Sequence, residues 1–97
     1  MIEYKVKVWT CGDKVWYLYG KRHREDGPAV EYVSGHKEWW LNGKLHREDG
    51  PAVEWANGDK EWYLNNKEAN PETIVDLWLA KNIYCFYNPE TDSLEFE

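Results

Sequence analysis

Residues 16–38, WYLYGKRHREDGPAVEYVSGHKE, and residues 39–61, WWLNGKLHREDGPAVEWANGDKE, are consecutive copies of one 23-residue unit, identical at 16 positions. A third, partial copy precedes them, since Trp9, Gly12 and Lys14 align with Tyr32, Gly35 and Lys37, and a fourth opens at Trp62 with WYLNNK. A unit this short cannot bury its apolar face alone, so residues that recur at a fixed interval build each unit and its seam with the next. Catalysis asks for one asymmetric constellation, which recurrence does not supply. The reading is therefore of a noncatalytic chain, without cofactor.

Each unit carries two hairpin signals, small-Gly pairs flanked by alternating residues: Ser34-Gly35 and Asn57-Gly58 in one series, Tyr19-Gly20 and Asn42-Gly43 in the other. Two-residue type I′ turns at all of them predict a mainly β fold, an antiparallel β-hairpin meander. Its strands fall near 5–10, 14–18, 21–24, 28–33, 36–41, 44–47, 51–56 and 59–64. The implied register sets Val30 against Trp39, Glu31 against Glu38, Trp39 against His46 and Trp40 against Leu45. The like charges of Glu31 and Glu38 are then relieved by Arg47 on the next strand. One face collects Trp16, Trp39, Trp62, Val30, Val53, Tyr32, Trp55, His23 and His46 as the core. The other carries Tyr17, Trp40 and Tyr63 among Glu31, Glu38, Glu54, Glu61, Arg24 and Arg47, either as a partner surface or packed against the C-terminal segment or a neighbouring chain.

The recurring HREDGPAV, residues 23–30 and 46–53, brings two imidazoles and four carboxylates near one another. Asp-Gly-Pro reads as a turn, with Asp accepting a backbone N–H, Gly tolerating positive φ and Pro starting the next strand. Each His is expected at a seam, stacked on an indole and donating to a carboxylate or carbonyl, and His36 is expected to be exposed. A metal would need three or four converging ligands, which regular spacing does not provide, so no metal site is assigned. No P-loop, nucleophile elbow, GxGxxG or CxxC occurs.

Seven Trp, seven Tyr and two Phe in 97 residues allow large rings to supply most of a modest core. No stretch approaches the roughly 18 apolar residues of a membrane span, and the alternating MIEYKVKVW lacks the apolar run of a secretion signal, so a cytoplasmic location is expected. In that setting the two cysteines, Cys11 and Cys85, are expected to be unbridged. Residues 1–67 hold eleven basic and eleven acidic side chains, whereas residues 68–97 hold one Lys and seven acids, which is the whole net charge of −6. A neutral body with an acidic appendix disfavours direct nucleic-acid binding and favours basic partners.

Composition changes at Asn70. Asn-Pro-Glu-Thr opens a helix with Asn70 as N-cap and Pro71 at the first helical position, its stripe of Ile74, Leu77, Trp78 and Lys81 running to about Asn82. Residues 83–87 and 93–97 then read as a hairpin around a turn at 88–92, with Leu94 and Phe96 alternating against Glu95 and Glu97. Residues 1–69 are thus the hairpin repeats. Residues 70–97 are a helix-plus-hairpin cap of the same domain, covering the last edge of the sheet.

The 23-residue unit with HREDGPA at its centre resembles a tandem repeat of bacteriophage, prophage and large-virus genomes, sometimes described as MORN-like, over residues 9–67. The resemblance implies a β-hairpin array of viral association and no defined active residues. The leading reading is a small phage-type interaction protein that binds a host protein or complex through Tyr17, Trp40, Tyr63 and Arg47 of the repeats and Asp76, Glu90, Asp92 and Glu95 of the tail. Inhibition of a bacterial defence complex, in the manner of an anti-CRISPR protein, follows from the viral analogy alone. Two alternatives stand beside it: a module that sequesters a nucleotide signal or glycan, using exposed rings and Arg22, Arg24 or Arg47, and a structural array self-associating through sheet edges.

Overall fold

The computed structural model describes residues 4–96. It is an antiparallel meander of hairpins followed by one helix and a last hairpin, the fold class expected. The strands are β1 (Lys5–Val8), β2 (Lys14–Leu18), β3 (Lys21–Arg22), β4 (Val30–Glu31), β5 (Lys37–Glu38), β6 (Trp40–Leu41), β7 (Lys44–Leu45), β8 (Val53–Glu54), β9 (Lys60–Leu64) and β10 (Lys67–Ala69). Helix α1 (Pro71–Ala80) and the hairpin of β11 (Cys85–Asn88) and β12 (Ser93–Phe96) complete the chain. Glu97, expected on the outer side of the last strand, lies outside the described residues. Strand β10, not anticipated, pairs with β9 across Asn65-Asn66 and forms the sheet's final edge.

The sheet divides along its long strands. The first half of β2 pairs with β4 and its second half with β3. In the next copy the same division is β5 with β8 and β6 with β7. The crossing point is the indole position: Trp16 N–H donates to the Ala29 carbonyl and its own carbonyl accepts from His23 N–H, and Trp39 repeats both bonds with Ala52 and His46. Each HREDGPA segment carries the chain from one row of pairing back to the other. This explains why the strands are shorter than the sequence suggests.

The two turn series differ. Tyr19, Gly20, Asn42, Gly43, Asn65 and Asn66 all have positive φ, as type I′ turns require, and Trp40 faces Leu45 as read from the sequence. In the other series only Gly12, Gly35 and Gly58 have positive φ. There Tyr32 N–H donates to the His36 carbonyl and Gly35 N–H to the Tyr32 carbonyl, and Trp9–Asp13 and Trp55–Asp59 are closed in the same way. These are three-residue connections with a left-handed glycine, not two-residue turns. The register therefore slips by one, and a slip of one exchanges faces.

Val30 pairs with Glu38 and Glu31 with Lys37, correcting the expected Val30–Trp39 and Glu31–Glu38 pairs. Across five strands Lys14, Glu31, Lys37, Glu54 and Lys60 alternate in sign, so no like-charge clash arises. On the opposite side runs the line Val15, Val30, Glu38, Val53, Glu61, whose three valines are buried. Val30 and Val53 thus belong with Glu38 and Glu61, and Glu31 and Glu54 lie with the indoles, the reverse of the sequence assignment. Tyr32 and Trp55, expected in the core, are exposed.

Asn70 caps α1 as expected, its side chain accepting from Thr73 N–H. The helix docks through Ile74, Val75 and Trp78, and Leu77 faces outward, contrary to the expected stripe. Ile74, Leu94 and Trp62 form a buried cluster, joined by Leu64, Ala69 and Tyr87. Lys60 Nζ donates to the carbonyls of Thr91 and Asp92, and the Trp78 indole donates to the Glu48 carbonyl at 2.6 Å. The tail thus covers the Lys60–Trp62–Leu64 side of β9, a face instead of the final edge. Cys11 and Cys85 are free thiols, and burial pushes the Cys85 thiol up. No described helix is long and apolar enough to cross a membrane.

Candidate interaction surface

The HREDGPA residues are tied into the scaffold. His23 Nδ1 accepts the Asn42 backbone N–H at 2.9 Å, and one copy later His46 Nδ1 accepts from Asn65 N–H at 3.1 Å. An imidazole of one copy thereby holds the type I′ turn of the next, and in the neutral ring the proton sits on Nε2, facing Glu25 at 3.6 Å or Glu48 at 3.7 Å. The seam role is as expected; the hydrogen bond donated to an acid or carbonyl is not, since each Nε2 stands beyond hydrogen-bond distance of its glutamate, and neither is the stacking on indole. The arginines occupy that place instead. Arg24 lies 4.0 Å over the Trp16 ring and Arg47 lies 3.9 Å over Trp39.

Arg47 also donates to Asp49 at 2.8 Å, to the Pro51 carbonyl at 3.0 Å and to Glu54 at 3.1 Å. Arg47 was expected beside Trp40 on a partner surface; the structure sets it on the other side of the sheet, with its donors engaged. The motif glycine has a different purpose from the one anticipated. Gly27 and Gly50 are absent from the positive-φ residues, but a Cβ on Gly50 would stand 2.6 Å from Arg47 Cζ, and one on Gly27 3.1 Å from Arg24 Cζ. Glycine gives the guanidinium room to reach the indole. Between the two motif loops lies a cleft of about 490 Å³, where Glu25, Asp26, Glu48 and Asp49 face Arg24 and Arg47. Among the described residues no three His, Cys, Asp or Glu side chains are grouped so as to hold a metal ion.

The opposite face of the sheet is built of rings and acids. Tyr17, Trp40 and Tyr63 are half-buried there, as the sequence grouped them. Glu38 is one hub: it accepts from the Trp40 indole at 2.8 Å and contacts His36 Nε2 at 2.8 Å. Glu61 is the second: it accepts from the Trp55 indole and from the Tyr63 hydroxyl, the latter at 3.0 Å. The hydrogen bond to Glu61, with burial and the nearby acids, raises the Tyr63 pKa above the ordinary 10.0. His36 is not exposed as expected. Its ring lies between Trp55 at 4.3 Å and Tyr32 at 5.2 Å, and its Nδ1 is buried without a hydrogen-bond partner among the described residues.

Three of the rings that reach solvent were missed by the sequence reading. Trp9, Tyr32 and Trp55 are 41%, 40% and 46% exposed at equivalent loop positions. Their common spacing was the available signal. The same face is polarised along the array: Lys5, Lys7 and Arg22 lie with Tyr17 and Val15 at its start, and Glu38, Glu61 and Glu68 lie with Trp40 and Tyr63 further on.

The tail acids divide. Asp76 on α1 and Glu90 in the last turn are exposed. Asp92 accepts from the Tyr87 hydroxyl at 2.6 Å, which raises the Tyr87 pKa, and Glu95 accepts from the Asn88 amide at 3.1 Å. Two of the four thus have contacts within the hairpin. The tail also presents Tyr84, Phe86 and Ile83 to solvent. Comparison of the chain with protein-family models, curated proteins and solved structures gives no match.

Proposed function

We propose that this chain is a noncatalytic interaction protein that binds a protein partner through the ring-and-acid face of its sheet. The observation that carries the reading is a separation of tasks. The imidazoles and guanidiniums of the recurring motif are bound up in seams and arginine–indole stacks, while Trp55, Tyr32 and Trp40 lie on one face, held in place by Glu38 and Glu61. Rings fixed before binding lose little side-chain freedom in a complex, and Trp and Tyr dominate interface hot spots.

The acids of that face and of the tail favour a basic surface on the partner. The resemblance of the HREDGPA unit to phage repeats supports a bacterial host as the partner's source, and inhibition of a host defence complex is the activity we attach to it. Capture from bacterial lysate, followed by affinity measurement on the purified pair, tests the reading. Trp55→Ala with Trp40→Ala is expected to weaken the complex by about tenfold or more, the scale of a lost hot spot. Unchanged affinity in that double variant, or the absence of any stoichiometric partner, would defeat it.

A further inference from the structure

The loop ends of two consecutive seams are built on corresponding positions but are filled differently. At the second seam the slot bounded by Tyr32 and Trp55 holds the imidazole of His36, with centroids 5.2 and 4.3 Å from those rings. At the first seam the corresponding rings are Trp9 and Tyr32, and the corresponding loop residue is Asp13. Asp13 does not fill the slot. One of its carboxylate oxygens accepts the Val33 backbone N–H at 2.8 Å, and a groove of about 280 Å³ remains, lined by Trp9, Asp13, Lys14, Val15, Arg22 and Tyr32. The protein thus shows, one copy further on, what chemical object its own slot accepts: a flat nitrogen heterocycle between two rings.

Two substitutions between the seams define the rest of the ligand. Leu45 of the second seam is Arg22 in the first, and Glu38 is Val15. An acid is removed and a guanidinium added. Arg22 is half-buried, lies 5.2 Å from the Trp40 ring and has no salt-bridge partner among the described residues. Lys7 Nζ stands 5.0 Å from the Trp9 ring, adding a second cation on the same side. A partly desolvated guanidinium beside an open aromatic slot suits a phosphate, and the second oxygen of Asp13 suits an N–H donor on the edge of a base.

We infer that the groove bounded by Trp9, Tyr32 and Arg22 is a binding site for a purine nucleoside monophosphate, the base entering the slot that His36 fills in the following seam. The groove is near the lower size limit of ligand sites, which suits one nucleotide better than an oligomer. The groove shares the Tyr32 ring with the proposed partner face, but its ligand is a separate small molecule.

Calorimetric titration of the full chain with GMP, AMP, ribose phosphate and inorganic phosphate tests it. One molecule of GMP or AMP is expected to bind per chain, at least tenfold more tightly than either compound lacking a base. Arg22→Gln and Trp9→Ala are each expected to weaken binding about tenfold with unchanged far-ultraviolet dichroism. Asp13→His, which supplies the second seam's own filler, is expected to block binding while keeping the fold. Binding of phosphate alone with equal affinity, full affinity in folded Arg22→Gln or Asp13→His, or no heat with either nucleotide would overturn the assignment. Should a variant unfold, the wild-type indole N–H resonance of Trp9 decides: it must shift on saturation, and its failure to move contradicts the site.

Discussion

Trp39 and Trp62 stand at the same strand position one copy apart, yet they are covered by different means. Trp39 is half-buried beneath Arg47 of its own copy, whereas Trp62 is 6% exposed and packs with Ile74 and Leu94 of the tail. The body uses a recurring polar cover, a guanidinium bonded to carbonyl and carboxylate. The tail replaces it with an apolar cluster where no further HREDGPA segment follows. A repeating array can therefore end without a bare indole, and the non-repeating segment is the element that completes it.

The largest expected contrast follows from those two covers. Trp62→Ala should destabilise the protein by about 3–5 kcal/mol, as for a fully buried aromatic residue. Trp39→Ala should cost about 1–2 kcal/mol, the sum of partial burial and one cation–π contact. Denaturant titration of both variants checks this, and equal losses would mean that the arginine cover and the tail core are energetically the same device. A smaller effect probes the polar cover itself: Gly50→Ala should cost about 1–2 kcal/mol by displacing Arg47. That loss should vanish in an Arg47→Ala background, and Gly27→Ala should cost less than Gly50→Ala because its Cβ meets Arg24 at a longer distance.

The smallest contrast lies in two phenols. Tyr63 in the body and Tyr87 in the tail each donate to an acid, and each has its pKa raised chiefly by that hydrogen bond. A raised folded-state pKa contributes stability that is present below the unfolded value of 10.0 and is lost as pH rises through the folded value. Stability should therefore fall in alkali above that point. Glu61→Gln should bring only the Tyr63 titration down, and Asp92→Asn only that of Tyr87, as read by phenolate absorbance. A shift of both by one substitution would show the two regions to be electrically coupled.

Much of this architecture is legible in the residues. The 23-residue recurrence, the hairpin class, the type I′ turn at Asn42-Gly43 and the cap at Asn70 all follow from local chemistry. The register of the other turns does not, because Asn57-Gly58 has the same letters as Asn42-Gly43 but only its glycine takes positive φ. Asn57 instead accepts the Asp59 N–H in a three-residue connection. A signal was present: the two-residue register sets Glu31 against Glu38, and moving by one residue yields the alternating ladder from Lys14 to Lys60. Arg47 departs for a different reason: the Asn42-Gly43 register is as read, but β7 ends at Leu45 and the Arg47 N–H donates to the Tyr63 carbonyl instead of continuing the ladder beside Glu38. Two of the rings that reach solvent were missed because Tyr32 and Trp55 look like core residues by type; their exposure comes from loops that hold them at the rim.

The claim on which the rest depends is that the motif imidazoles join one copy to the next. Nitrogen NMR of the two rings, with exchange rates of the Asn42 and Asn65 amides, tests it most directly. His23 and His46 should both be Nε2–H tautomers at neutral pH, with a through-bond coupling from each Asn amide to Nδ1 and slow exchange of that amide. Protonated Nδ1 in either ring, with Asn42 and Asn65 exchanging as fast as open loops, would contradict the account.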